Sequence, residues 1–308
     1  MEYRWPALGT LMCLAVAALP LVMADPALIT PTPREMEQVG PPVPIAGGRI
    51  LLAGSHPKLR VGAAEINHRL TRELGCQALP MTTGTLDDAG PATTPVIVLG
   101  VAGEETMADI QRRYPVDVPR KAQGYGIAAH RRGGKLVMVL AGHDEQGALY
   151  AAVTFRHLLD PADGARTPNG RAVLQPVRIR DWPDFPWRQI GRPPTTIGVG
   201  WQLNRASQRK TPDIDAVGTR FVATGKQYVD FLLRHKINLS WTHAVHLETG
   251  GEGLYEYVRR VSDYARARGV YFVERAHSYI GTYPRDKDDP RRTRCVDHRT
   301  HKRYFCWS

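Results

Sequence analysis

Cysteine is scarce, at four in 308 residues. Cys13 falls in an amino-terminal apolar run, so Cys76, Cys295 and Cys306 remain, an odd number that leaves at least one thiol free or paired outside the chain. Cys295 and Cys306 are the pair that would close a short loop, and no cysteine spacing resembles a zinc site. No apolar stretch is long enough for a comfortable membrane span. An organised basic stripe is missing too. Lysine and arginine outnumber the acids 41 to 30 and the net charge is +11, yet they are scattered in pairs such as Arg131-Arg132, Arg259-Arg260 and Arg291-Arg292 with no aromatic interleaving. That argues against nucleic acid as a partner, while the charge suits anionic polymers or simple solubility. Hydrophobic residues make up 43%, which excludes global disorder and allows a sizeable core.

Residues 1–24 read as an export signal. Arg4 and the amino terminus supply positive charge, Leu8 to Leu19 is an apolar run of signal-peptide length, and Val22-Met23-Ala24 offers a cleavage site before Asp25. An uncleaved anchor is the alternative, and Leu11-Met12 before Cys13 does not fit a lipoprotein site. The expected location is therefore periplasmic or extracellular, which permits disulfides. Residues 25–44, rich in proline and threonine, predict an extended linker.

From Arg49 strands and helices alternate. Ile50-Leu51-Leu52 and Pro95 to Val101 ("PVIVLGV") read as strands, and Leu59 to Leu74 as a helix stopped by Gly75. Gly124 to His130 and Lys135 to Ala141 read as a hairpin turned at Arg131-Arg132-Gly133-Gly134. A helix follows to about Leu159, and Val173 to Ile179 is strand-like. The expectation is a small mixed-sheet α/β sandwich over residues 45–180, closed by a junction, "DWPDFPWR", at Asp181 to Arg188. Beyond it come a helix end at Tyr228 to Arg234, a strand at Ile237 to Trp241, an amphipathic helix at Leu254 to Arg268 stopped by Gly269, and a strand at Val270 to Val273. Parallel βα units follow from that order, and with them an incomplete (β/α)8 barrel over residues 186–308, since about 120 residues follow the junction and a closed barrel takes about 250.

One stretch, "AGHDEQGALYAAVTF" at Ala141 to Phe155, lies one residue from a dinucleotide-binding turn: Gly142-x-Asp144-x-x-Gly147. Asp144 stands where the middle glycine would let the backbone approach a pyrophosphate. Its carboxylate has bulk and the wrong sign there, and it reads instead as a helix amino-terminal cap.

The run "GYGIAAHRRGGKLVMVLAGHDEQGALYAAVTFRHLL", followed by "VRIRDWPDFPWR", resembles the accessory amino-terminal domain of exported glycoside hydrolases, among them the bacterial β-N-acetylhexosaminidases of glycoside hydrolase family 20. Related hyaluronidase-like and α-glucuronidase families share that domain. The resemblance covers residues 45 to 192 and, more loosely, the start of a catalytic barrel. It implies hydrolysis of amino-sugar glycans by the substrate's own N-acetyl group, assisted by an Asp-Glu pair after the fourth barrel strand. That pair lies beyond Ser308, so no catalytic residue is assigned and the chain alone is expected to be inactive. A uronic-acid glycosidase and a non-catalytic carbohydrate-binding module are the alternatives.

Three residues are candidates for contact with an oligosaccharide or polysaccharide. Arg188 matches the arginine at the start of the family's first barrel strand, with a structural role at the junction as the other reading. His243 matches the histidine of its second strand, in "KINLSWTHAVH" with Lys236 and Asn238. Glu274, with His277 beyond it, ends the third strand as a candidate sugar-binding or acid/base residue, with an ion pair to Arg275 or Arg268 as the other reading. Two departures stand out: Gly191-Arg192-Pro193-Pro194 replaces the continuation of the first strand, and His246 stands where the family has aspartate. His243-x-x-His246 lacks an evident third ligand, so no metal or other cofactor is expected. Trp182, Trp187 and Trp241 suit either core packing or stacking on a sugar.

Overall fold

The computed structural model describes residues 29–86, 94–162, 171–190, 199–200, 202–203, 205–207, 212–241 and 252–273. The expected signal segment, His243, His246, Glu274, His277, Cys295 and Cys306 lie outside them. A seven-stranded sheet, in order β1-β10-β6-β7-β5-β3-β4, forms the larger unit. Strands β3 (Arg49–Ala53), β4 (Met81–Thr83), β5 (Val96–Val101) and β7 (Lys135–Gly142) run parallel. Strands β6 (Tyr125–Arg132), β10 (Val177–Asp181) and β1 (Glu35–Gln38) add to β7 antiparallel, so the sheet is mixed. Gly133 and Gly134 join β6 to β7 with φ of 57° and 81°, the two left-handed residues a tight hairpin turn needs.

Strand β5, and β7 after Lys135, are apolar throughout because both faces are covered. Ile97, Leu99, Met138 and Leu140 point toward helices α1 (Pro57–His68) and α3 (Glu145–Arg156). Val96, Val98, Val137 and Val139 face the other way, toward Met107 and Ile110 of α2 (Glu105–Arg113), a nine-residue helix that buries only those two side chains. The predicted helix to Leu74 is straight only to His68; residues Arg69–Glu73 form a wider π turn, and Gly75, at φ 68°, ends it.

Two expectations need correction. The segment 25–44 is not only a linker. Glu35–Gln38 is the edge strand β1, tied to β10 by Arg180–Glu35 at 2.9 Å and Arg178–Glu37 at 3.5 Å. Val43–Pro44 (β2) joins β9 (Ala172–Leu174) and β8 (Leu159–Pro161) in a small second sheet. Proline is tolerated at such edges, and the alternation in "EMEQ" is the signal it hid. The single strand expected from Val173 to Ile179 breaks at Gln175-Pro176 into β9 and β10, which belong to different sheets.

A second unit carries β11 (Gln189–Ile190), α4 (Ile214–Arg234), β12 (Leu239–Trp241), α5 (Glu252–Arg266) and β13 (Tyr271–Val273). Its three strands are parallel, in order β11-β12-β13. Phe221, Val229 and Leu232 of α4 pack with Val261 and Ala265 of α5. Gly269, at φ 66°, ends the turn after α5. The carboxyl end of α4 reaches the larger unit: Leu233 joins its core and the Arg234 Nε donates to Glu65 at 2.9 Å. Helix α3, buried from Gly147 to Arg156, is apolar around most of its circumference for that reason.

His157, just after α3, is half-buried, and its enclosed Nε2 has no hydrogen-bond partner among the described residues. Burial, then the charges of Arg156, Arg69 and Lys236, hold its pKa down to about 4 from 6.5. The folded chain thus keeps the ring neutral while the unfolded chain protonates it below about 6.5. Its contribution to stability is complete above that pH and is lost as pH falls from 6.5 toward 4. Urea titrations at pH 7 and pH 4.5 should show a smaller loss for His157→Asn than for the wild type; equal losses would remove this assignment.

Candidate functional site

Where the two units meet, four scattered parts of the sequence converge. Lys236 follows α4 with a left-handed backbone, φ 55°, and is only 5% exposed. Its Nζ donates to Asp181 Oδ2 at 2.9 Å and to the Tyr125 hydroxyl at 2.5 Å. That hydroxyl also donates to Asp181 Oδ2 at 2.8 Å and accepts from Thr154 Oγ1 at 2.6 Å. Tyr125 opens β6, Asp181 closes β10, and the two are register partners. Thr154 comes from α3. Burial pulls the Lys236 pKa down against the opposing pull of Asp181. Burial and the Asp181 charge push the Tyr125 phenol well above its ordinary value. Every polar atom of the cluster has a partner and its residues are buried, an arrangement that ties the two units together.

Arg188 sits beside this cluster, at the amino-terminal edge of the parallel strands. Its Nε donates to the Lys236 carbonyl at 2.7 Å, Nη1 to the Phe185 carbonyl at 2.8 Å and Nη2 to Gln123 Oε1 at 2.9 Å. Its guanidinium lies 5.3 Å from the centre of the Tyr150 ring. In the backbone, Arg188 N–H donates to Asn238 Oδ1 at 2.8 Å, and its carbonyl accepts from the N–H groups of Asn238 and Leu239. The other two candidates, outside the described residues, follow the opposite ends of the strands in the chain: His243 two residues after β12, Glu274 directly after β13. Of the three candidates, Arg188 alone lies within the described residues.

Gln123 and Asp144 complete the seam. Asp144 Oδ1 accepts the Gly147 N–H at 2.7 Å, which is the expected cap of α3, and Oδ2 accepts the Gln123 N–H at 2.7 Å. Gln123, at φ 62°, then donates from Nε2 to the Pro186 carbonyl at 2.9 Å. The spacing of glycines around Asp144 is explained by close backbone approach. A β-carbon on Gly147 would lie 2.2 Å from the Gly124 carbonyl oxygen, and one on Gly142 would lie 1.9 Å from the Ala148 nitrogen. The chain itself fills the space a pyrophosphate would need.

A cleft of about 350 Å³ opens along the seam, lined by Arg34, Tyr150, Trp182, Phe185 and Arg188 among others. Trp182 carries Lys121 at 4.7 Å and Arg34 at 5.0 Å from its ring centre, so cations already cover it. Trp187 is more exposed and meets Tyr271 edge-on at 5.7 Å. No group of His, Cys, Asp or Glu suited to a metal occurs among the described residues.

Because Asp144 both caps α3 and holds Gln123, its loss should cost more than a cap alone. Asp144→Ala should destabilise by about 2–4 kcal/mol in chemical denaturation, about 1 for the cap and the rest for the unpartnered Gln123 N–H. A loss near 1 kcal/mol would reduce Asp144 to its cap.

No protein-family profile matches the sequence, and no curated protein matches it. Solved structures do. A glycoside hydrolase family 20 exo-β-N-acetylglucosaminidase from Vibrio harveyi superposes with a TM-score of 0.52 at 13% identity, over 82% of this chain and 36% of its own. A β-hexosaminidase from Streptomyces plicatus gives 0.49 at 17% identity, over 81% and 46%. A chitobiase from Flavobacterium johnsoniae gives 0.47 at 17%, over 80% and 34%. The chain spans less than half the length of these proteins. At such identities the likeness is one of fold: the mixed α/β arrangement described above is also that of the Vibrio enzyme.

Proposed function

We propose that this chain is the amino-terminal portion of an exported glycoside hydrolase of the β-N-acetylhexosaminidase type, acting on amino-sugar glycans. The larger unit is its accessory domain, and the smaller one is the start of a (β/α)8 catalytic barrel. The observation that carries this reading is the joining of a mixed-sheet unit to successive parallel βα units, an arrangement in keeping with the fold of the Vibrio enzyme. The glycosidase motifs read from the sequence fall at that join.

In this reading substrate lies at the carboxyl ends of the parallel strands, where barrel enzymes place their chemistry. Glu274 and His243 follow those ends in the chain and are assigned to the sugar. Arg188, the third candidate, serves the seam: protein acceptors take its Nε, Nη1 and Nη2, and it stands at the other edge of the strands. No described helix is long and apolar enough to cross a membrane, which is compatible with export of the mature chain after cleavage near Ala24.

The test is hydrolysis of chromogenic N-acetylglucosaminide and glucuronide by the full-length gene product. Turnover of the N-acetylglucosaminide is expected, and Glu274→Gln should lower kcat/KM by about 10²-fold or more with unchanged melting. Turnover of the glucuronide alone would move the assignment to a uronic-acid glycosidase. Glycan binding without turnover of either would replace the enzyme with a binding module.

A further inference from the structure

Among the described residues, Gln123 and Lys236 are the non-glycine positions with a left-handed backbone, at φ 62° and 55°. A β-carbon makes that conformation costly, and such strain persists only where the surroundings over-determine it. Arg188 bridges the two, one from each unit: its Nη2 donates to Gln123 Oε1 and its Nε to the Lys236 carbonyl. Lys236 occupies the position after a helix that glycine fills most readily. Its N–H returns to the Leu233 carbonyl and that of Ile237 to the Leu232 carbonyl, each at 2.8 Å. Glycine would relax this turn, but it has no side chain to reach Asp181 and Tyr125. Gln123 presents the same trade: its side chain ties the Pro186 carbonyl to the Arg188 guanidinium.

The described part of strand β11 is Gln189–Ile190. Its pairing with β12 begins inside the seam, where the Arg188 carbonyl accepts from Asn238 and Leu239 and Asn238 Oδ1 accepts from Arg188. Asn238 Nδ2 also donates to the Pro186 carbonyl at 2.6 Å. Leu233, Arg234, Lys236 and Asn238, four of six consecutive residues, thus dock on the larger unit or on the segment leading from it.

We infer that the larger unit is the template on which β11 and β12 pair, and that Gln123 and Lys236 are positioning residues that join both units into one cooperative whole. This does not depend on the chemistry proposed above. A lysine that merely ended a helix would predict the opposite sign for its replacement: Lys236→Gly would relieve strain and raise the melting temperature.

The experiment is thermal unfolding and peptide-resolved hydrogen exchange on the 308-residue chain. Wild type should melt in one transition. Lys236→Gly should melt lower and in two, with peptides covering β11 and β12 exchanging about tenfold faster or more while those covering β5 and β7 keep their protection. Gln123→Gly, a milder change that also relaxes its own φ, should accelerate the same peptides without splitting the transition. A raised melting temperature for Lys236→Gly overturns the inference. So does faster exchange spread evenly over both units, or a Gln123→Gly variant whose β11 and β12 peptides exchange as in wild type.

Discussion

A lysine ammonium enclosed between two sheets is the constraint around which this chain is arranged. Removing charge from water is costly unless a partner and further hydrogen bonds compensate it. Lys236 finds that partner in Asp181, and Tyr125 and Thr154 take up the remaining polar capacity. Meeting the condition fixes the ends of β6, β10 and α4 and one turn of α3 at a single point. Losing either charge would strand the other, so the positions of these elements are set together.

Helix α3 transmits that arrangement through the larger unit. Its first turn presses Gly147 against the Gly124 carbonyl, its middle lies on β5 and β7 beside α1, and its last turn lies near the end of α4. Arg156, nearly buried at that end, is held by Glu73 and lies near Glu65, while Arg234 of α4 pairs with Glu65. A second set of charges therefore supports the same junction close to the first, with Arg156 two residues after Thr154 on α3 and Arg234 two residues before Lys236. The Lys236 cluster is compact and fully matched. This set has unpartnered atoms at Arg156 Nε and His157 Nε2, and it is the part of the junction more exposed to acid.

Much of the architecture was legible. Apolar runs on β5 and β7, the double-glycine hairpin, the Asp144 cap and the glycine stops after α1 and α5 each follow from one local rule. Strand β1 was masked by neighbouring prolines, although its glutamates find arginines on β10. Helix α2 was missed because it is short and buries only Met107 and Ile110. Pro176 divided a stretch whose composition is uniformly strand-like. The candidate site was the least legible part. Arg188 was recognised as important on a motif that serves both a sugar and a junction; only its acceptors distinguish the two. Nothing in the sequence marked Gln123, because a left-handed glutamine has no local signature.

The residues that made the sequence recognisable, Tyr125, Asp144, Gly147, Asp181, Lys236 and Asn238, are spread over more than a hundred positions. By itself the sequence determined most of the strands and helices, that the larger sheet is mixed, and that parallel βα units follow, because these rest on periodicity and local turn chemistry. Only the tertiary structure decided that the marker residues meet at one seam and that Arg188 is held there by protein acceptors. Hydrogen bonds and buried charge depend on which side chains come within about 3 Å, and that proximity is created by packing rather than by spacing along the chain.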